Sequence, residues 1–190
     1  LSQETFTSFD STAMISGTDS LAMRGMALTF LRYLFERKGA VSYEAGGGIT
    51  DGGGAAFLQA LHASSATGTD NITGAFGDYK AAMDDWMATM ALDGRGISGA
   101  EKYSYKPLID DPVTKQQIGL KVRGDRKDAT GSVETLEGPI EKDDAKTGDN
   151  SGSIANATGA FYKIKGQDGK LKFTVSSQES DMRFLVIKLK

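Results

Sequence analysis

The apolar pattern of this chain changes period near its middle, and that change constrains its fold more than any other feature. Up to Gly94 apolar residues recur at helical spacing; beyond Gly96 they alternate, as side chains do along a half-buried strand. Helices followed by strands predict an α+β protein. Its expected parts are an N-terminal helical subdomain over residues 1–96 and a small antiparallel β domain, a sandwich or curled sheet, over residues 97–190. Charge divides at the same place. Residues 1–95 carry 11 acidic and 6 basic side chains, net −5, whereas residues 96–190 carry 14 and 16, net +2; the sum is the −3 of the whole chain. The coincidence of the two shifts places the joint between Gly94 and Lys102.

In the first part, Asp19 or Ser20 is positioned to cap a helix beginning at Leu21, because a side-chain oxygen there accepts from the open first-turn N–H groups. Leu21, Gly25, Leu28, Leu31 and Phe35 form the expected apolar stripe, widened by Ala27, Phe30 and Leu34. Arg37 and Lys38 suit the last turn, and Gly39 ends it. A second helix is expected from about Ala55 to Ser65, burying Phe57, Leu58 and Leu61. A third begins after Asp78 and stops at Gly94, with Tyr79, Met83, Trp86, Met87 and Met90 on one face. Methionine is adaptable at binding surfaces, but its preference for interiors makes this stripe a core face.

The remaining features of this part favour structure over chemistry. Gly46-Gly47-Gly48 and Gly52-Gly53-Gly54 precede the second helix, yet Ala55, Ala56 and Phe57 follow where a phosphate loop needs Lys and Ser or Thr. The glycines read as a flexible connection. His62 is the one histidine, without a carboxylate at i+3 or i+4, and reads as a helix-face or core-edge residue. Ser64 and Ser65 lie too near it along the helix to act as its nucleophile. With no cysteine present, thiol catalysis, cysteine metal sites and disulfides are excluded. No catalytic, cofactor-binding or metal-ligating residue is assigned to this chain.

In the second part, Tyr103-Ser104-Tyr105 and Ile118 to Val122 alternate as strands do. Arg123 to Gly152 is polar and is expected to form long loops with a weak strand over Val133 to Leu136. Glu141, Asp143, Asp144 and Asp149 do not follow the calcium-loop spacing, and Lys142 and Lys146 oppose a cation. Three final runs, Phe161 to Lys165, Leu171 to Ser177 and Met182 to Leu189, read as strands, the first two joined by a turn at Asp168-Gly169. Phe184 to Ile187 is apolar at both parities, which predicts a central or interlayer strand. The lysines of this end, among them Lys163, Lys172 and Lys188, read as edge protection.

Several of these residues carry a likeness to a known family. Arg24-Gly25, Phe30-Leu31-Arg32-Tyr33-Leu34, Arg37 and Gly39 resemble a helix of the hyicolysin-type secreted bacterial zinc metallopeptidases. The likeness continues through Leu58, Leu61, Ser64-Ser65, Thr67-Gly68, Asn71-Ile72, Phe76, Asp85-Trp86, Leu92-Asp93-Gly94 and Tyr103-Ser104-Tyr105, and returns weakly at Gly159-Ala160-Phe161-Tyr162. In that family such elements follow the zinc-binding segment, in which two histidines one turn apart and a downstream glutamate hold the metal. No residue here matches that set, since His62 stands alone on another element. The resemblance implies a non-catalytic C-terminal portion of an exported zinc-peptidase-like protein. It would be secreted, periplasmic or at the cell surface, with zinc, and a protein or peptide substrate, belonging to the parent. Its expected partner is the remainder of its own parent chain. The start at Leu1, without a basic or apolar leader, leads to the same expectation of a processed product or piece.

The alternative is a non-enzymatic surface or periplasmic binding module. A stand-alone enzyme is the weakest reading, because Asp84-Asp85 and Asp110-Asp111 are sequence neighbours, and on a helix neighbours diverge by about 100 degrees. Net acidity argues against nucleic-acid binding, and no apolar stretch reaches the ~20 residues of a membrane span. Asn71-Ile72-Thr73 and Asn156-Ala157-Thr158 match the glycosylation sequon but are expected by chance in a chain of this length.

Overall fold

The computed structural model describes residues 6, 9, 14, 20–39, 42–43, 49–111, 116–128, 130–139, 141–142, 157–164, 172, 174–177 and 179–188. Within them four helices precede a series of small sheets, an α+β arrangement. Helix α1 spans Leu21–Gly39, α2 Gly54–Ala63, α3 Gly68–Phe76 and α4 Tyr79–Leu92. Ser20 caps α1 by accepting the Met23 N–H at 3.1 Å, and Asp78 caps α4 by accepting from Lys80 and Ala81.

The face of α1 that enters the core is not the expected stripe. Ala22, Met26, Thr29, Phe30, Tyr33 and Leu34 are buried, whereas Leu21, Leu28 and Leu31 are 60%, 52% and 38% exposed. Aromatic size decides the rotation. Phe30 lies 5.1 Å from Trp86 and 6.1 Å from Tyr79 between ring centres, and turning the leucines inward would break these contacts. On α2 Phe57 is buried and Leu61 packs against the core, but Leu58 lies outside, 44% exposed. The methionine stripe of α4 does face the interior, with Trp86 and Met90 fully buried and Met83 and Met87 packed beside them.

Helix α3 was not expected, and glycine and threonine are weak helix formers. It holds because Phe76 meets Phe57 edge-on at 6.0 Å and the Asn71 amide donates to the Leu61 carbonyl at the end of α2.

The strands pair two by two. Beyond the short β1 (Ser42–Tyr43) and β2 (Ile49–Thr50), β3 (Ile109–Asp110) pairs with β4 (Gln117–Ile118), both ladders antiparallel. The longest ladder joins β5 (Arg123–Lys127) to β6 (Val133–Glu137), antiparallel, while β7 (Glu141–Lys142) and β8 (Phe161–Tyr162) run parallel. Among the described residues these are four separate two-stranded sheets, and neither the expected sandwich nor a curled sheet is formed among them.

Several local expectations change. Of the strand expected over Ile118 to Val122 only Ile118 is in one, because Gly119 at φ 128° leaves the extended conformation, and the described residues of the run Leu171 to Ser177 form no strand. Arg123 to Lys127 is a strand rather than loop, because its charges find cross-strand partners: Arg126 meets Glu134 at 2.8 Å and Asp125 accepts from Thr135 at 2.6 Å. Its turn is fixed by Asp128, whose carboxylate accepts from the Thr130 and Ser132 N–H groups, with Gly131 at φ 86°. Tyr103 belongs to a 3₁₀ turn, Glu101–Tyr103, rather than to a strand. Residues 182–188 form no strand, and Phe184, Leu185 and Val186 are 52%, 55% and 66% exposed. Ion pairs of Arg183 with Asp84 at 2.5 Å and of Asp181 with Lys80 at 3.7 Å tie the start of this segment to α4. The turn expected at Asp168-Gly169 lies outside the described residues.

One buried cluster spans both parts of the chain. Phe6, Phe9, Met26, Phe30, Leu34, Trp86 and Met90 share it with Tyr105, Leu120, Val122 and Leu136. Phe9 lies between Trp86 and Phe161, at 5.5 and 5.4 Å, which brings distant stretches of sequence onto the single tryptophan.

Candidate functional site

Two carboxylates occupy helix ends where the backbone dipole disfavours negative charge. Glu36 lies in the last turn of α1, and Asp93 is the C-terminal cap of α4. Both are buried, 7% and 6% exposed. What they accept explains their position. Asp93 Oδ1 accepts the Tyr105 N–H at 3.0 Å and Oδ2 the Val122 N–H at 2.9 Å. Glu36 Oε2 accepts the Lys106 N–H at 2.8 Å, while Oε1 meets Arg32 at 2.6 Å. Asp93 thus supplies acceptors to two backbone donors of the second half that would otherwise be buried without partners, and Glu36 to a half-buried one.

Further bonds tighten this junction. The Tyr105 hydroxyl donates to the Thr29 carbonyl of α1 at 2.7 Å, and Arg37 donates to the carbonyls of Lys102 and Ser104. The open carbonyls at the end of α4 are met by arginines: Arg95 donates to Ala91 at 2.6 Å, and Arg123 to Met90 at 2.8 Å and to Asp93 at 3.3 Å. Glu141 sits between these two guanidinium groups, paired with Arg95 and 3.7 Å from Arg123.

The electrostatics follow from burial. Loss of solvent pushes the Asp93 carboxyl above its ordinary range, against the opposing pull of the Val122 and Tyr105 donors and of Arg123. Burial, helped by the charge of Arg95, lowers Arg123 to about 10, which leaves it cationic at neutral pH. The enclosed Tyr105 phenol is raised well above its usual value, so it stays protonated and donates. The carboxylate oxygens of both acids are engaged by backbone N–H groups and Arg32, an arrangement that ties the second half to the ends of α1 and α4.

Sequence reasoning missed this cluster. Asp93 entered it only within the family resemblance, Tyr105 there and as part of a strand, Arg123 only as the start of a loop region, and Glu36 not at all. The signal was present, since an acid in the final turn of a helix is unfavourable unless a specific donor holds it.

The features singled out from the sequence are scattered. His62 is exposed in the last turn of α2. The helix start after Gly52-Gly53-Gly54 is already occupied by Asp51, whose carboxylate accepts from Gly53 and Ala55. These glycines also permit a close crossing. A Cβ on Gly39 would run into the Gly52 carbonyl, and one on Gly54 would lie 2.5 Å from the Phe35 ring. The Asn71 amide is engaged with Leu61, so this sequon is built into a helix contact. Asp84 pairs with Arg183, and Asp110 accepts from Gln117 at 3.3 Å. Residues 143–149 lie outside the described residues. Among the described residues no three His, Cys, Asp or Glu side chains converge as a metal site, and no helix is long and apolar enough to cross a membrane.

A pocket of about 90 Å³ opens beside the outer face of α1, lined by Leu28, Leu108, Gln117, Gly119, Leu120, Lys121, Arg126 and Lys127. Comparison with family models, curated proteins and solved structures finds no match for this chain.

Proposed function

We propose that this chain is a non-catalytic packing portion of an exported zinc-peptidase-like protein, whose role is to buttress a catalytic segment carried elsewhere in the parent. The reading starts from the sequence resemblance and draws its physical support from one observation, the outer face of α1. Leu21, Leu28 and Leu31, at i, i+7 and i+10, share one side of a helix whose opposite side is already buried in the core. A surface helix ordinarily turns a polar face outward; one that is apolar on both sides suits packing on both sides. In this role the Asp93 and Glu36 junction holds the β ladders rigidly against the helices.

The encoding open reading frame tests the proposal. It is expected to carry, before Leu1, an HExxH segment and a downstream glutamate. A frame in which a signal peptide runs directly into Leu1 would sink it. The alternative, a binding module, is favoured by a different observation, the exposed run Phe184-Leu185-Val186. On that reading the run, rather than α1, becomes protected from exchange when a partner binds.

A further inference from the structure

We propose that the pocket beside α1 is a docking groove for an acidic peptide segment presenting one aliphatic side chain. The proposal rests on reading the outer face of α1 as a packing surface, and it names the chemistry of what packs there.

Leu28 of α1, with Leu108 and Leu120 from the second half, supplies the apolar part of the pocket lining. Its volume of about 90 Å³ matches a single aliphatic group and falls well below the ~300 Å³ at which drug-sized ligand pockets begin. Gly119 keeps it open: at φ 128° it adopts a backbone conformation that side chains disfavour, and a Cβ there would crowd Leu108 at 3.1 Å.

The charged part of the lining is cationic: among the described residues Lys121, Arg126 and Lys127 line the pocket, and no carboxylate does. Arg126 is paired with Glu134, but Lys121 donates to the neutral carbonyl of Asp125 at 3.0 Å, and Lys127 is exposed. Neither lysine has an ion pair among the described residues. Two ammonium groups without an ion pair among the described residues, beside three leucines, complement carboxylates flanking an aliphatic anchor; such charges set specificity while the anchor supplies binding energy. A concave site sized for one side chain suits a peptide better than a flat lipid surface.

The test uses the full 190-residue chain and fluorescein-labelled Glu-Asp-Leu-Asp-Glu, read by fluorescence polarisation. The leucine peptide is expected to bind, with affinity falling about tenfold when its leucine is replaced by alanine, the scale of losing one buried anchor. Lys127→Glu and Leu28→Asp, both at exposed positions, are expected to weaken binding by about tenfold, and Lys163→Glu to leave it unchanged. Raising salt from about 0.05 to about 0.5 M should weaken it further. Equal binding of the alanine peptide, or indifference to Lys127→Glu, overturns the proposal. So does occupation of this face by a second copy on sedimentation, or binding to phosphatidylserine vesicles without binding to the peptide. An open reading frame lacking HExxH leaves these binding results untouched, so the two proposals fail separately.

Discussion

Replacing Asp93 tests whether the junction between the helices and the β ladders is held by its carboxylate. In Asp93→Ala two backbone donors, the N–H groups of Tyr105 and Val122, lose acceptors at 3.0 and 2.9 Å in a region closed to water. An unsatisfied buried donor costs about 1–3 kcal/mol, so two of them cost roughly 3–5 kcal/mol once relief of the buried charge is set against them. Asp93→Asn keeps one carbonyl oxygen and turns an NH₂ group toward the other donor, so its cost is about 2 kcal/mol. For a chain of this length each kcal/mol lowers the melting temperature by about 2–4 °C. Urea unfolding followed by Trp86 fluorescence reads the loss, because Trp86 lies fully buried in the shared core. The predicted order is wild type, then Asn, then Ala. If Asp93→Ala lies within about 0.5 kcal/mol of wild type, the range of an ordinary surface change, the junction is not what joins the halves.

Other perturbations separate strong contacts from weak ones. Tyr105→Phe removes the donor to Thr29 but leaves that carbonyl inside α1, where a helix partner remains, so its cost in chemical denaturation is only about 1 kcal/mol. Gly54→Ala places a methyl group 2.5 Å from the Phe35 ring and is expected to destabilise by about 1–3 kcal/mol, whereas a flexible-linker role would leave the melting temperature unchanged. The pH dependence of Asp93 has a definite sign. Its folded-state pKa is raised above the unfolded value, so the folded state holds the proton more tightly between the two, and stability falls as pH rises through that window. The stability of wild type relative to Asp93→Asn should therefore decline as pH increases from about 4, the unfolded carboxylate value. A rise over that range contradicts the assignment.

Legibility in the sequence followed the kind of force at work. The bounds of α1 and α4 were readable because caps and terminal glycines act locally: Ser20 and Asp78 at the starts, Gly39 and Gly94 at the stops. The rotation of α1 was not, because leucines surround much of the helix and only the position of Trp86 in space selects Phe30 over Leu31. Strand β5 was hidden by its charges, which became favourable only once register set Arg126 opposite Glu134. Phe184 to Ile187 misled in the opposite direction: an apolar run becomes a central strand only if neighbouring strands pair with it, and among the described residues none does. The junction combines residues from positions 29 to 141, and the bonds that join its two halves are long-range backbone contacts that no local spacing encodes.

Peptide hydrolysis by the whole encoded protein, set beside the 190-residue chain alone, tests the central claim most directly. The account predicts that the whole protein hydrolyses casein in a zinc-dependent manner abolished by a chelator, while this chain alone is inactive with or without added zinc. Zinc-dependent hydrolysis by this chain alone, or a whole protein that neither binds zinc nor cleaves peptides, would contradict it.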